Sequence, residues 1–182
     1  MDLELKTERL ILRAFRPEDG PRIRELAGVW DVAKMLVSLP HPYPEGVAET
    51  WIATHDKGRR AGSDYPFAVT RDGDLVGCVA LEKRGGVDML EIGYWLGLPY
   101  WGKGYATEAA QAAVDFAFGW LGADRLRAHH MLENAASARV LRKLGFVAVG
   151  QDQSHSRSRG TTVDTIDLIL KREDYLAKSG IT

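Results

Sequence analysis

Cysteine is nearly missing from this chain. Cys78 is the only one in 182 residues, so no disulfide can close within it. It sits in the run Leu75-Val-Gly-Cys-Val-Ala-Leu81 and reads as a buried strand residue. No apolar run approaches the roughly 20 residues that a membrane-spanning helix needs, and no membrane partner is expected. Neither sign of charge is in excess: 24 Lys and Arg against 25 Asp and Glu leave a net charge of −1. A nucleic-acid-coating protein is normally strongly basic, so that partner is not expected either. Met1-Asp2-Leu3-Glu4 has neither the charged nor the apolar region of a signal peptide, which makes the cytoplasm the expected location. His41, His55 and His155 are scattered and match no zinc spacing. His129 and His130 are adjacent on a strand-like run, so they point to opposite faces and cannot chelate one ion together. No metal is expected. Two glycine signatures are also lacking. Gly102-Lys103-Gly104 is followed by Thr107 where the dinucleotide fingerprint requires a third glycine, and no Gly-x-x-x-x-Gly-Lys-Ser/Thr run exists.

What the chain does have is 45 % hydrophobic residues over a length suited to one domain, residues 1–182. Leu10–Phe15 reads as a first strand, and Pro17 fits just inside a helix whose apolar face is Ile23, Leu26 and Ala27. Pro40-His-Pro-Tyr-Pro44 forms an extended break. A helix from Glu45 to Lys57 follows, with Val47, Trp51 and Ile52 inward. Phe67–Thr70 and Leu75–Leu81 are strands joined by the hairpin signal Arg71-Asp-Gly-Asp74. Gly85-Gly86 marks a turn into a strand ending at Leu96. A helix after Gly104 should face Ala109, Ala113, Phe116 and Trp120 inward and end at Gly122. Arg125–Met131 is a strand. Asn134 starts a short helix that Gly145 ends, with Arg142 and Lys143 at its negative end. Val147–Val149 and Val163–Leu170 close the sheet as a hairpin, bridged by a solvated, mobile tip at 151–162. The fold class is α/β (α+β): a mixed, mainly antiparallel sheet with a parallel pair at its centre, flanked by helices.

The stretch Glu91–Phe146 carries the chemistry. A strand that runs through Gly102 and Gly104 into a helix N-terminus directs free amides and a positive dipole end at one spot, which suits a phosphate or pyrophosphate. The same glycines also suit a plain tight turn.

Trp101-Gly-Lys-Gly-Tyr-Ala106 resembles the Arg/Gln-x-x-Gly-x-Gly/Ala loop of the GNAT superfamily of N-acetyltransferases. Asn134, Ser137 and Lys143-Leu-Gly-Phe146 resemble its Asn-x-x-Ser … Lys-Leu-Gly-Phe helix. Thr7–Phe15 and Glu91–Leu96 are similar to the branch containing the ribosomal-protein N-terminal acetyltransferases RimJ and RimL. The resemblance runs from about Thr7 to Leu170. It departs at Trp101, where Arg or Gln is usual, and at Leu141, where many relatives carry tyrosine.

That resemblance implies acetyl-coenzyme A as cosubstrate. Trp101, Gly102, Lys103, Gly104, Tyr105, Ala106 and Thr107 would hold its pyrophosphate. The backbone of Tyr94, Trp95 and Leu96 would pair with its pantetheine arm, and an amide there would stabilise the oxyanion. Gly93 would mark a bulge where two strands splay, or be simply a poorly packed strand residue. Asn134 suits an N-cap and, in the family, also a hydrogen bond to the coenzyme arm. Ser137 is assigned as proton donor to the departing thiolate, or is a polar first-turn residue. Glu91 is the first choice of general base, or a salt-bridged strand carboxylate; whichever of His129 and His130 faces the cleft is the second. The acceptor site would lie among Pro40–Tyr43, Trp51–His55 and 151–162, where Arg157 and Arg159 could meet a carboxylate. The expected activity is acetyl transfer to a primary amine, foremost a protein N-terminal α-amine. The alternatives are a small-molecule amine such as an antibiotic or polyamine, and a non-catalytic acyl-coenzyme A sensor. A homodimer is compatible with this branch, although no interface signal is visible.

Overall fold

The computed structural model describes residues 3–83 and 89–179. Its sheet has eight strands in the order β1-β2-β3-β4-β5-β6-β8-β7. They are β1 (Leu5–Lys6), β2 (Ile11–Arg13), β3 (Asp64–Arg71), β4 (Asp74–Lys83), β5 (Leu90–Leu96), β6 (Arg125–Met131), β7 (Val147–Ser156) and β8 (Thr161–Lys171). The helices are α1 (Gly20–Ala27), α2 (Trp30–Ala33), α3 (Val47–Arg60), α4 (Tyr105–Gly119), α5 (Ala135–Leu144) and α6 (Arg172–Ser179). Every neighbouring pair is antiparallel except β5 and β6. The α/β class and the single parallel pair expected at the centre are both found.

One face of the sheet packs on α4 and α5. Ala109, Ala110, Ala113, Val114 and Ala117 of α4 are at most 1 % exposed and lie in one cluster with Leu12, Phe67, Val79 and Leu81. Alanines leave no side chain to hold the helix away, so α4 approaches the strands closely, and each buried Leu or Phe beneath it contributes roughly 1.5–3 kcal/mol. The other face packs on α1 and α3, where Ile23, Ala27, Ala48 and Ile52 cover Ala68, Cys78 and Ala80. Cys78 is buried in a strand, as expected.

Several boundaries differ from the sequence expectation. The strand expected at Leu10–Phe15 is the shorter β2, and an unexpected strand, β1, precedes it across a turn in which Thr7 N–H donates to Leu10 O at 3.0 Å. The helix expected at Glu45–Lys57 is α3, Val47–Arg60, and its fully buried positions are Ala48, Ile52 and His55, with Val47 and Trp51 only half-buried. Trp120 is 71 % exposed: α4 ends at Gly119, and the chain leaves the helix before Trp120 can reach the core. The β4–β5 register runs unbroken through Ala80 and Gly93, so Gly93 makes no bulge against β4, while on its other side the pairing with β6 stops at Glu91. The Gly85-Gly86 turn lies outside the described residues. The hairpin Arg71–Asp74 is present, with φ of 51° at Asp72 and 88° at Gly73, the left-handed pair a two-residue type I′ turn requires.

The 151–162 segment is not a mobile tip. β7 and β8 run on to Ser156 and Thr161, and the remaining turn is docked onto the α2 region. Arg157 N–H donates to Val37 O at 3.0 Å, Ser158 Oγ to Ala33 O at 3.0 Å and Arg159 Nε to Lys34 O at 2.8 Å.

His55 has consequences for stability. It is 5 % exposed and edge-on to Phe15 and Trp51, and neither ring nitrogen has a hydrogen-bond partner among the described residues. Burial, and then the nearby Arg59 charge, lower its pKa from 6.5 to about 4. The unfolded chain therefore binds this proton between pH 6.5 and 4 and the folded chain does not. Stability falls as pH drops through that window, by up to about 3 kcal/mol at about 1.36 kcal/mol per pKa unit. Urea unfolding at pH 7 and pH 4.5 measures this, and His55→Leu should remove most of the difference. An equal acid loss in that variant would assign the effect to other groups.

Candidate active site

β5 and β6 meet at one register pair, Glu91 opposite Arg127, and diverge beyond it. The sheet therefore opens between Tyr94–Leu96 and the C-terminal half of β6. Gly97 N–H donates to Val76 O at 2.9 Å, in register with Leu96 opposite Gly77. In an antiparallel ladder alternate residues turn both backbone groups to the partner. Gly93 and Trp95 thus bond to β4, whereas Tyr94 and Leu96 face the gap. Of the three residues expected to offer backbone there, Trp95 is the exception: β4 already uses its amide and carbonyl. The Leu96 carbonyl accepts from Trp101 Nε1 at 2.7 Å, so the indole at the departing position ties the turn to the end of β5.

Side chains on the α1–α3 side of the gap form an ionic cluster. Glu91 is 8 % exposed. Its Oε1 lies 3.1 Å from His129 Nδ1, and its Oε2 lies 3.8 Å from Arg127 Nε. Arg127 Nη2 donates to Asp167 Oδ1 at 2.8 Å, and that bond, with the Asp167 and Glu91 charges behind it, raises the guanidinium pKa against its partial burial. Both candidate bases therefore sit together. His130, on the opposite strand face, has Nδ1 2.8 Å from Met131 O and does not join them. Arg127 and Asp167 were not anticipated. Arg127 was legible in principle, two residues before His129 on the same strand face, but Asp167 enters only through the β6–β8 register opposite His129.

On the α4–α5 side, the Tyr94 hydroxyl lies 2.9 Å from Ser137 Oγ and 3.3 Å from Ser137 O. Burial pushes the Tyr94 hydroxyl well above its usual pKa, the Ser137 bond offsetting part of this, so it stays a donor at neutral pH. Asn134 Oδ1 accepts from Ser137 N–H at 3.0 Å as the α5 N-cap, and this cap fixes Ser137 in the first turn. Leu141 is 1 % exposed and packed in the core. The hydroxyl pair Tyr94–Ser137 occupies the wall of the gap instead.

The glycine turn lies at the end of β5. Gly102 and Gly104 have φ of 73° and 83°, values that L side chains rarely adopt. The first bond of α4 runs from Glu108 N–H to Gly104 O at 3.1 Å, which leaves the Tyr105, Ala106 and Thr107 amides with no acceptor inside the helix. Free amides at the positive end of a helix dipole are an arrangement that suits an anion. The Tyr105 side chain is 4 % exposed and belongs to the core, so only its backbone can serve an anion. The Lys103 ammonium sits 5.8 Å from the Tyr100 ring centroid beside the turn.

The expected acceptor elements are partly brought together. Trp51 and Tyr43 pack against the α1–α3 cluster, while Arg157 and Arg159 are spent on backbone carbonyls and, for Arg159, on Glu133. A cavity of about 400 Å³ follows the end of β6, lined by Met131, Glu133, Arg159 and Asp164 among others. No group of three or more His, Cys, Asp or Glu that could hold a metal ion occurs among the described residues. Among them, too, no helix is long and apolar enough to cross a membrane.

A split parallel pair, an anion turn at its mouth and opposed basic and hydroxyl side chains agree with comparisons to known proteins. Residues 9–147 match the family model "Acetyltransferase (GNAT) domain". The chain is 28 % identical to the putative ribosomal N-acetyltransferase YdaF of Bacillus subtilis, over 91 % of this chain and 93 % of that one. It is 30 % identical to the spermidine N(1)-acetyltransferase of Escherichia coli, over 68 % and 67 %. A GNAT-family acetyltransferase from Bacillus anthracis superimposes with a TM-score of 0.79 at 26 % identity, covering 94 % of this chain and 99 % of that one. With more than half of its length matched by the family model, the chain belongs to the GNAT family of N-acetyltransferases.

Proposed function

We propose that the protein transfers acetyl from acetyl-coenzyme A directly to a protein or peptide N-terminal α-amine. The observation that carries this reading is the Glu91–His129 contact of 3.1 Å on one wall of the gap, with the Tyr94–Ser137 hydroxyl pair on the other. A base and an acid on opposite walls suit a reaction that removes a proton from nitrogen and delivers one to sulfur. The pyrophosphate lies on the amides of the glycine turn, and the pantetheine arm follows the backbone of Tyr94 and Leu96. The amine nitrogen attacks the acetyl carbon, the Glu91–His129 pair takes the amine proton, and a backbone amide of β5 stabilises the oxyanion. The carbon–sulfur bond then breaks, and the thiolate takes a proton from Ser137, which solvent replaces as the Glu91–His129 pair returns the amine proton to solvent.

Two points favour an α-amine. Its pKa of about 7.7–8.0 needs only a modest base, whereas a lysine-like amine near 10.4 needs a stronger one. Three carboxylates near the gap are matched with guanidinium groups, Glu91 and Asp167 with Arg127 and Glu133 with Arg159, while Asp164, farther along the cavity, accepts from the Gln153 amide. A polycationic acceptor would call for unmatched carboxylates. YdaF, similar along nearly the whole chain, agrees with this choice, while the resemblance to a spermidine acetyltransferase over two thirds of the chain favours a polyamine as the second reading. Steady-state rates on a panel of short peptides with free N-termini, against spermidine and spermine, test the choice. A kcat/KM at least about ten-fold higher for peptides, equal to about 1.4 kcal/mol of transition-state preference, supports the α-amine. The reverse ratio would replace it with the polyamine.

A further inference from the structure

The segment Thr7-Glu-Arg-Leu10 lies far from the gap in sequence and belongs to no part of the chemistry described above, yet it is bonded to the glycine turn. The Thr7 hydroxyl donates to Glu108 Oε1 at 2.6 Å and accepts from Leu10 N–H at 3.0 Å. Arg9 N–H donates to the same Oε1 at 2.8 Å. The Arg9 guanidinium donates through Nε to Glu108 Oε2 at 2.7 Å and through Nη1 to Lys103 O at 3.0 Å. It also stacks 4.8 Å from the centre of the Tyr105 ring, whose other neighbour is Arg71 at 5.3 Å, bonded to the Tyr105 hydroxyl. Glu108 stands in the first turn of α4. Burial opposes its charge, but the bonds from Thr7 and Arg9 outweigh that, and its carboxyl sits below the usual carboxylate range.

The bond to Lys103 O has a directional consequence. In a trans peptide the C=O and the following N–H point in opposite directions. Holding the Lys103 carbonyl toward Arg9 therefore aims the Gly104 N–H away from it, to the concave side of the turn where an anion sits. The guanidinium has a second effect. A bare carboxylate at Glu108, one turn from the anion site, would repel a phosphate, and Arg9 covers that charge. Gly104 is the residue that permits this arrangement: its φ is 83°, and a Cβ there would come within 3.2 Å of Arg9 Nη2.

We infer that Thr7 and Arg9 are positioning residues for coenzyme binding: a strap, formed by the N-terminal turn and buckled on Glu108, holds the Gly102–Thr107 turn in its anion-binding geometry. The inference rests on the reading of that turn as the coenzyme site. Its test is calorimetric titration with coenzyme A of the wild type, Arg9→Ala, Arg9→Lys and Glu108→Gln, with thermal melting of each. Arg9→Ala should weaken binding about ten-fold or more, about 1.4 kcal/mol, while the KM for the amine acceptor stays unchanged. Arg9→Lys keeps the charge on Glu108 but has no planar fork to span Glu108 and Lys103 O, so it should recover only part of the loss. Glu108→Gln preserves the side-chain shape and should weaken binding less than Arg9→Ala. Wild-type-like coenzyme affinity in both Arg9→Ala and Glu108→Gln overturns the strap. A weaker affinity matched by an equal rise in acceptor KM also overturns it, because that describes general loosening. Failure of the wild type itself to bind coenzyme A would instead overturn the coenzyme site, a separate result.

Discussion

Glu91→Gln should lower kcat/KM for a peptide α-amine by about 10²–10³-fold near pH 7, the range usual for loss of a positioned base, with coenzyme A affinity almost unaltered. Glutamine keeps the size of the side chain and an oxygen for His129 Nδ1, 3.1 Å away, so the wall of the gap is preserved and only the carboxylate charge is lost. The deficit should shrink as pH rises past about 8, because the free α-amine then loses its proton to solvent and needs no base. A pH-independent deficit would mean that Glu91 serves structure alone. His129→Gln should produce a loss of the same kind, and the double variant should cost much less than the product of the two, since residues acting as one unit are not additive. Full additivity would separate the pair into independent roles.

The second large effect concerns the opposite wall. Ser137→Ala removes the group proposed to protonate the thiolate and should reduce kcat by about 10²-fold, with the KM for acetyl-coenzyme A changing little. Tyr94→Phe should cause a smaller fall of roughly ten-fold, because a Tyr94 hydroxyl donating across the 2.9 Å to Ser137 Oγ would leave the serine proton free for the gap. In the Ser137→Ala background the tyrosine change should have almost no further effect. A Tyr94→Phe loss that persists undiminished there would show that the tyrosine acts directly or supports packing, for its ring is also buried against the sheet.

The features legible in the sequence were those decided within a few residues of one another. The Asp72-Gly73 hairpin, the Gly102–Gly104 turn, the Asn134 cap and the Gly145 stop all follow from local backbone chemistry and stand where they were expected. The fold class was legible too, because helix and strand periods alternate along the chain in one sense only. What was not legible depends on register between distant strands. Tyr94 and Ser137 are 43 residues apart, and Thr7 and Glu108 are 101 apart. Nothing in the run of residues 125–131 states that β6 will meet β5 at Arg127 alone and so deliver His129 to Glu91. The hairpin tip was misread for a related reason. Its Ser and Arg residues look solvated in composition, yet their donors are matched to carbonyls of Ala33, Lys34 and Val37, which helix α2 and its exit leave available. Trp120 erred in the opposite sense: the helical period places it inward, but α4 stops one residue short.

The most direct test of the whole reading is calorimetric titration of the wild-type protein with coenzyme A, with NAD and ATP as parallel ligands. The arrangement of the Gly102–Thr107 amides beside the open β5–β6 pair predicts one coenzyme A per chain at micromolar affinity, with NAD and ATP inert, because only a pantetheine arm can follow Tyr94 and Leu96 into the gap. Absence of coenzyme A binding, or equal binding of NAD, would contradict it, and the roles assigned to Glu91, Ser137 and Arg9 would fall together.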